Sequence, residues 1–318
     1  MRTPGDRYRI GLIGARGHVG RELLQLLAGH PALALAYASS RELAGQSVDA
    51  LVPGLGSQRF EDLDAAACAE RAADVVILAL PNGLAAPYVA AIEAVRPETV
   101  LVDLSADHRF DPAWTYGLPE HARDRLRGAR RVSTPGCYAT AMQLALRPLL
   151  PVLDGEPRCF GVSGYSGAGT TPSPRNDPDR LAENLMPYGL TGHVHEREVG
   201  HQLGVPVRFL PHVAAFFRGL SITASVTLRP GVSPAELRQA FAAAYAGEPL
   251  VAVTDQVPEI RDVAGTPRAL VGGLAASADG QHLAVVSVLD NLLKGAASQA
   301  MQNVHLALGL DERTGFPA

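Results

Sequence analysis

"YRIGLIGARGHVGRELLQLLAGHP", residues 8–31, decides the fold. Its first seven residues, apolar apart from Arg9, read as one buried strand. From His18 onward apolar side chains recur at helical spacing until Gly29 and Pro31 stop them. Glycines stand at 11, 14, 17 and 20. Such spacing allows a tight turn, close approach of the backbone to a pyrophosphate, and close packing of helix on strand. The start of the helix then offers unpaired N–H groups and a partial positive charge to phosphates. The stretch predicts a dinucleotide-binding α/β unit.

Working outward, "LALAYASS" (33–40), "DVVILALP" (74–81) and "TVLVDLSA" (99–106) read as further strands, with a helical "LAAPYVAAIEAV" between the last two. Strands alternating with helices predict a doubly wound parallel sheet. An NAD site places a carboxylate at the end of the second strand, ~20 residues after the glycines. Here Ser39-Ser40-Arg41 occupies that place, and hydroxyls with a guanidinium suit a 2′-phosphate, so NADP(H) is expected. Beyond Tyr138 the texture changes. "LSITASVTLRP" (220–230), "RALVGGLAAS" (268–277) and "QHLAVVSVL" (281–289) alternate along their length and predict a mostly antiparallel sheet. "SPAELRQAFAAAYAG" (233–247) reads as a helix with a Ser233/Glu236 capping box, and a last helix is expected over 291–309.

Composition narrows the function. A chain of 318 residues has room for two domains, and 47% hydrophobic with 19% charged residues is that of a soluble globular protein. A formal charge of −4 argues against nucleic acid or an anionic membrane as the partner. "MRTPGDRYRIGLIG" has no apolar leader core, and no run of ~18 apolar residues follows, so a cytoplasmic location is expected. Three cysteines, at 68, 137 and 159, fit neither a disulfide framework nor a zinc site, and no metal is expected.

One cysteine stands apart. "STPGCYATA" (133–141) sets Cys137 after Pro135-Gly136 at the head of a long apolar stretch. A thiol at a helix start meets unpaired N–H groups and the helix dipole, which favour the thiolate. Cys68 in "AAACAERAAD" and Cys159 in "RCFGVSG" read as packing residues. A nucleophile needs an acid/base partner, and "GHVHEREVGH" (192–201) supplies His193, His195 and His201. In a helical reading Glu198 lies three residues past His195, placed to orient its ring. "DLSADHRF" (103–110) follows a strand's carboxyl end, which makes Arg109 a candidate anion clamp, and "GYSGAGTT" (164–171) is a second small-residue loop.

Together these stretches resemble the N-acetyl-gamma-glutamyl-phosphate reductases, relatives of aspartate-semialdehyde and glyceraldehyde-3-phosphate dehydrogenases. The likeness runs in order through "GARGHVGRELLQLLAGHP", "ALPNG", "DLSADHRF", "YGLPE", "STPGCYAT", "SGYSGAG", "GHVHEREV", "FLPHVAAFFRGL" and "VVSVLDNLLKGAASQAMQN". It implies a Rossmann NADP-binding domain of residues 1–137 plus 290–318. An inserted α+β substrate and dimerisation domain would span 138–289, in a homodimer or homotetramer. It implies Cys137 as the nucleophile that forms a thioester from an acyl phosphate, presented to the cleft between cofactor and substrate. His195 is favoured as acid/base, with His193 as the alternative. The resemblance further implies substrate contacts at Arg109, Ser105, Asn82 and Tyr165. Gly14, Arg16, Gly17, His18 and Val19 would line the pyrophosphate, Ser39 and Arg41 the 2′-phosphate, and Pro81, Ser166, Gly167 and Asn291 the nicotinamide end.

Three positions depart from the family pattern. Asn82 stands where "LPHG" has histidine, Val194 separates the paired histidines where arginine is usual, and Thr170 follows "SGAG" in place of arginine. The last two remove positive charge from the expected substrate region, and Arg175 and Arg197 lie nearby in sequence. Two rival readings are a reductase of carrier-protein-linked aminoadipyl phosphate, which calls for a basic surface, and a non-catalytic NADP-binding sensor.

Overall fold

The computed structural model describes residues 6–316, and the chain divides into two units, Met1–Pro135 with Ala296–Ala318, and Gly136–Gly295. The segment expected to lack an apolar leader begins in the first five residues, which lie outside the described residues, as do the last two.

The first unit holds seven strands: β1 (Tyr8–Ile13), β2 (Leu33–Ser39), β3 (Phe60–Glu61), β4 (Val75–Leu78), β5 (Val100–Asp103), β6 (Thr115–Tyr116) and β7 (Arg131–Ser133). They pair in the order β3-β2-β1-β4-β5-β7-β6, and every pair is parallel. The strand order reverses between β1 and β4, the place where such sheets open a ligand crevice beyond their carboxyl ends. β1 is buried from Ile10 to Ile13 because it has neighbours on both edges and helices over its faces. The helix His18–Leu27 buries Gly20, Leu23, Leu24 and Leu27, one stripe at helical spacing. That stripe shares a core with Ile10, Leu12, Val75 and Val102 and with Ala300, Met301 and Val304 of the helix Ala297–Ala307. The expected doubly wound Rossmann unit is present.

Two sequence readings need correction here. Gly11 does not belong to the phosphate turn: it lies within β1, and a Cβ there would run into the ring of Tyr37. Its lack of a side chain serves packing inside the sheet. The last helix starts at Ala297, six residues later than read. Asp290 accounts for the delay, since its Oδ1 accepts the N–H groups of Leu292 and Leu293, and its backbone oxygen accepts that of Gly295. Local side-chain capture of backbone donors competes with helix formation.

A buried histidine pair fastens the C-terminal segment. His30 Nδ1 accepts the N–H groups of Ala32 and Leu33 at 3.2 and 3.0 Å, which assigns the ring proton to Nε2. That nitrogen lies 3.0 Å from the Thr314 carbonyl and 3.1 Å from His305 Nε2. His305 Nδ1 in turn bonds the Glu312 carbonyl at 3.2 Å, so its Nε2 is the acceptor and both rings are neutral. Burial holds the His305 pKa down to about 4, against an ordinary 6.5, and His30 is lowered as well. A histidine depressed in the folded state binds more protons when unfolded, so stability is full above pH 6.5 and falls as the pH drops toward 4. Through His305 the loss is about 3 kcal/mol, from ~1.4 kcal/mol per unit. Urea midpoints measured from pH 7.5 to 4 should fall less steeply for His305→Gln than for the wild type. Parallel curves would refute the assignment.

The second unit holds β8 (Arg158–Gly164), β9 (Leu185–Pro187), β10 (Arg208–Ala214), β11 (Leu220–Thr227), β12 (Val251–Thr254), β13 (Ala269–Ala276) and β14 (His282–Leu289). Their order is β12-β13-β14-β11-β8-β10-β9. The sheet is mixed but mostly antiparallel: β12–β13 and β8–β10 are parallel, the other four pairs antiparallel. One face is covered by the helix Cys137–Leu146, buried from Tyr138 to its end and packed on β11, β14 and the helix Val194–Leu203. On the opposite face Phe160 and Leu210 remain 40% and 42% exposed. The Ser233/Glu236 capping box forms as read. Among the described residues no helix is long and apolar enough to cross a membrane.

Candidate active site

Cys137 is the first residue of the helix Cys137–Leu146, and its N-cap, Gly136, brings no side chain to the helix end. The N–H groups of a first helical turn have no partner inside the helix, and the dipole adds a partial positive charge there. An anion formed at this position is therefore favoured. The turn is fixed from behind: Gly136 N–H donates to Oε1 of the fully buried Glu198 at 3.0 Å. Glu198, placed by its spacing to orient His195, thus also braces the nucleophile's turn through Oε1. None of the three cysteines is in a disulfide. Burial pushes Cys68 and Cys159 up to about 12, in keeping with packing roles.

Cys137 also decides why residue 295 is glycine. A Cβ on Gly295 would lie 2.6 Å from the Cys137 Cβ and 2.7 Å from the Asn291 carbonyl oxygen. The Asn291 backbone cannot give way without moving the Asp290 turn. Gly295→Ala is expected to destabilise the protein by about 1–3 kcal/mol, as overpacking does, and to slow turnover by displacing the thiol. Denaturation midpoints and kcat measured together test this; an unchanged kcat would show that the thiol tolerates the displacement.

The two histidines sit at the start of the neighbouring helix, Val194–Leu203. His193 is its N-cap, and its Nδ1 accepts the His195 N–H at 3.2 Å. Their ring centroids are 4.8 Å apart, and His195 meets the Tyr138 ring edge-on at 6.2 Å. Burial first, then the charge of Arg175, lower the His193 pKa, with Glu196 opposing, so this ring is neutral at pH 7. His201 lies in the last turn of the same helix, away from this N-terminal cluster.

The loop 164–171 joins the same unit. Ser166 and Gly167 lie in the turn Tyr165–Ala168, and Asn291 links it to the β14 side. Asn291 Nδ2 donates to Ser166 Oγ at 2.9 Å, while its Oδ1 accepts the Gly219 N–H at 2.7 Å. Tyr165 stacks edge-on against Phe217 at 5.4 Å. Cys137, the histidine pair, Ser166, Gly167 and Asn291 thus belong to one unit although 154 positions separate the first from the last in sequence.

The first unit carries the rest. Gly14, at φ +84°, turns the chain after β1, and a Cβ there would collide with the Ala79 carbonyl. At Gly17 a Cβ would touch only the Gly14 oxygen at 3.9 Å, so the protein itself does not exclude a side chain. Open space above an uncapped helix start is the form that close approach of a pyrophosphate requires. His18 and Val19 open that helix. Arg16 pairs with Glu42 at 2.6 Å, which fixes one wall. Ser39 and Ser40 are buried at the end of β2, and Arg41 is exposed beside them. These residues fit an NADP molecule.

Beyond β4 and β5 a second cluster forms. Asn82 Oδ1 accepts the Ala106 N–H at 2.9 Å, and Asp107 accepts those of Gly83 and Ala85. Pro81 is exposed at the edge of this loop. Arg109 is buried, donating from Nε to the Thr134 carbonyl at 3.0 Å and from Nη2 to that of Leu104 at 2.9 Å. Two of its five donors therefore tie β5 to the chain leading into Cys137. The sequence reading missed Asp103 and His108: the buried carboxylate accepts Ser105 Oγ at 2.8 Å and bonds His108 Nδ1 at 2.7 Å, with His108 stacked on Trp114. The aspartate and histidine in "DLSADHRF" were visible, but nothing in their spacing distinguished them from solvated residues.

Comparison with known proteins agrees with both units. Residues 9–129 match the family model of the semialdehyde dehydrogenase NAD binding domain, and residues 137–291 that of the semialdehyde dehydrogenase dimerisation domain. The chain is 58% identical over 311 residues to the N-acetyl-gamma-glutamyl-phosphate reductase of Stenotrophomonas maltophilia, covering 98% of each chain. With the protein of that name from Xylella fastidiosa it is 53% identical, covering 98% of this chain and 95% of the other. Among solved structures, aspartate semialdehyde dehydrogenase II from Vibrio cholerae superposes with a TM-score of 0.76 at 18% identity, covering 96% of this chain and 99% of that one. The Candida albicans enzyme, solved with NADP, gives 0.71 at 17% identity, with 96% and 99% covered. At such identities the solved structures speak for the fold.

Proposed function

The chain belongs to the N-acetyl-gamma-glutamyl-phosphate reductase family, built from semialdehyde dehydrogenase domains, and from that premise we propose how its residues carry out the reaction. The enzyme converts N-acetyl-gamma-glutamyl phosphate to N-acetylglutamate semialdehyde and phosphate, a step of arginine biosynthesis that uses NADP(H). The single observation that carries the mechanism is Cys137 at the uncapped start of a buried helix, with a histidine pair on the helix packed against it.

Cys137 Sγ attacks the acyl carbon. The C–S bond forms, the C–O bond to phosphate breaks, and phosphate leaves with the electron pair. A thioester keeps the carbonyl activated, so one difficult step becomes two easier ones. First-turn N–H groups of the Cys137–Leu146 helix face the developing oxyanion and stabilise it without reorganisation. NADPH, when bound, supplies the hydride that the thioester carbon accepts. His195 gives a proton to the carbonyl oxygen as the thiohemiacetal forms and takes it back as the C–S bond breaks, which releases the aldehyde and restores the Cys137 thiolate.

Gly14, Arg16, Gly17, His18 and Val19 hold the pyrophosphate in this reading, Ser39 and Arg41 the 2′-phosphate, and Pro81, Ser166, Gly167 and Asn291 the nicotinamide end. Asn291 acts by fixing the Ser166 hydroxyl and the 219 turn. Substrate contacts fall to Asn82, Ser105, Arg109 and Tyr165. Two copies of the chain pair through the face that exposes Phe160 and Leu210, the open side of a dimerisation domain.

The assay that tests the reading follows NADPH consumption with N-acetylglutamyl, aminoadipyl and aspartyl phosphates in parallel. Turnover should be confined to the first and should fall when NADH replaces NADPH. Preference for either of the other acyl phosphates would reassign the substrate, and no turnover with any of them would favour a sensor.

A further inference from the structure

We propose that Arg175 is the substrate's anion clamp in this chain, held over the Tyr188 ring so that its guanidinium faces an anionic group of the acyl phosphate bound beside the His193–His195 pair. The inference rests on the acyl-phosphate reduction proposed above and adds to it the residue that binds the substrate's charge.

Four observations converge on Arg175. Its Cζ lies 5.0 Å from the centroid of the Tyr188 ring, within cation–π range. Tyr188 meets His193 edge-on at 5.7 Å, and His193 meets His195 at 4.8 Å, so a continuous row of rings runs from the guanidinium to the histidine pair. The charge of Arg175 reaches His193, whose proton affinity it lowers. Tyr188 feels both Arg175 and Cys137, burial and the thiolate pushing it up to about 12 against the pull of the guanidinium. The arginine and the nucleophile thus lie within electrostatic reach of one side chain.

The loop that carries Arg175 is built to hold it. Asn176 Nδ2 donates to the carbonyls of Gly169 and Thr171 at 2.9 and 2.8 Å, and its Oδ1 accepts the Ser173 N–H at 2.8 Å and the Ser173 hydroxyl at 3.2 Å. One side chain therefore closes the whole segment 169–176 on itself. Tyr188 is fixed in turn by its N–H, which donates to the Pro211 carbonyl on β10 at 3.1 Å. Arg175 is exposed, so its planar fork remains accessible to an incoming oxyanion while the ring beneath limits its rotamers. The same region has Thr170 and Val194, both uncharged. A substrate that carries both a carboxylate and a phosphoryl group calls for a cation here, and Arg175 brings its guanidinium over the Tyr188 ring. Arg197 lies one turn further along the histidine helix and is exposed.

The anion is either the substrate's phosphoryl group or its α-carboxylate, and one experiment separates them. Alkylation of Cys137 by iodoacetamide is followed in the wild type, Arg175→Met and Arg175→Lys, with rising inorganic phosphate in one series and N-acetylglutamate in the other. In the wild type one of the two anions should slow alkylation, and its identity names the group held. Arg175→Met should need roughly ten- to hundredfold more of that anion for half-protection, the loss of a charge-assisted hydrogen-bonded pair, and Arg175→Lys an intermediate amount. Equal half-protecting concentrations in wild type and Arg175→Met would overturn the proposal, as would failure of both anions to protect the wild type. Since this readout needs no NADPH, it stands apart from the turnover assay, whose failure would instead remove the reductase reading. Unchanged melting temperatures establish that the variants fold.

Discussion

Cys137→Ser should lose turnover by a factor on the order of 10⁴–10⁶, the scale seen when the attacking atom of a covalent mechanism is removed. Serine preserves the size and the helix position, so the loss isolates the sulfur. A hydroxyl at a helix start stays protonated at neutral pH, and any ester it formed would lack the reactivity of a thioester toward hydride. The fold should be little affected. Cys137 is half-buried, and the helix it opens is held by Tyr138 to Leu146, all buried, and by the Gly136–Glu198 hydrogen bond. Denaturation midpoints close to those of the wild type, with kcat near background, are the expected pair of results. Comparable turnover by the serine variant would mean that the sulfur takes no covalent part.

The second large effect separates the two histidines. His195→Gln should reduce kcat by about 10²–10⁴-fold, the usual contribution of a positioned acid/base. His193→Gln should act differently. Its Nδ1 already accepts the His195 N–H as the helix N-cap, and burial with the Arg175 charge keeps the ring neutral. Losing that cap costs about 1 kcal/mol of stability and loosens His195, so a smaller fall in kcat accompanied by a lower denaturation midpoint is expected. Steady-state kinetics on both variants decide the matter. A collapse of kcat in His193→Gln with near-normal turnover in His195→Gln would exchange the two roles.

How much of this was legible in the sequence follows from the range of each interaction. The strand–turn–helix of residues 8–27 was readable because its signals are local: a buried strand, glycines at the turn and a stripe of apolar side chains. The position of Cys137 was readable for the same reason, since Pro135-Gly136 and the apolar run after it sit side by side. Gly11 was misread because its constraint is the ring of Tyr37, a residue on the next strand. The late start of the last helix was hidden because Leu292, Leu293 and Lys294 are good helix formers, and the capture of N–H groups by Asp290 that delays the helix leaves no periodic mark. Helical spacing made Glu198 a neighbour of His195 but carried no sign of its bond to Gly136, 62 residues away. The His30–His305 pair spans 275 residues, and the Arg175–Tyr188 stack depends on how Asn176 folds its own loop. Periodicity carries no information about such pairings. They are decided by tertiary packing.

The central claim is that an acyl group rests on the Cys137 sulfur before it is reduced. Mixing the enzyme with N-acetyl-gamma-glutamyl phosphate in the absence of NADPH, quenching in acid and mapping peptides by mass spectrometry tests this most directly. The account predicts an N-acetylglutamyl adduct on the peptide containing Cys137, formed with release of one phosphate per site and removed when NADPH is added. An unmodified Cys137 peptide in a preparation that turns over normally with NADPH, or an adduct on another residue, would contradict it.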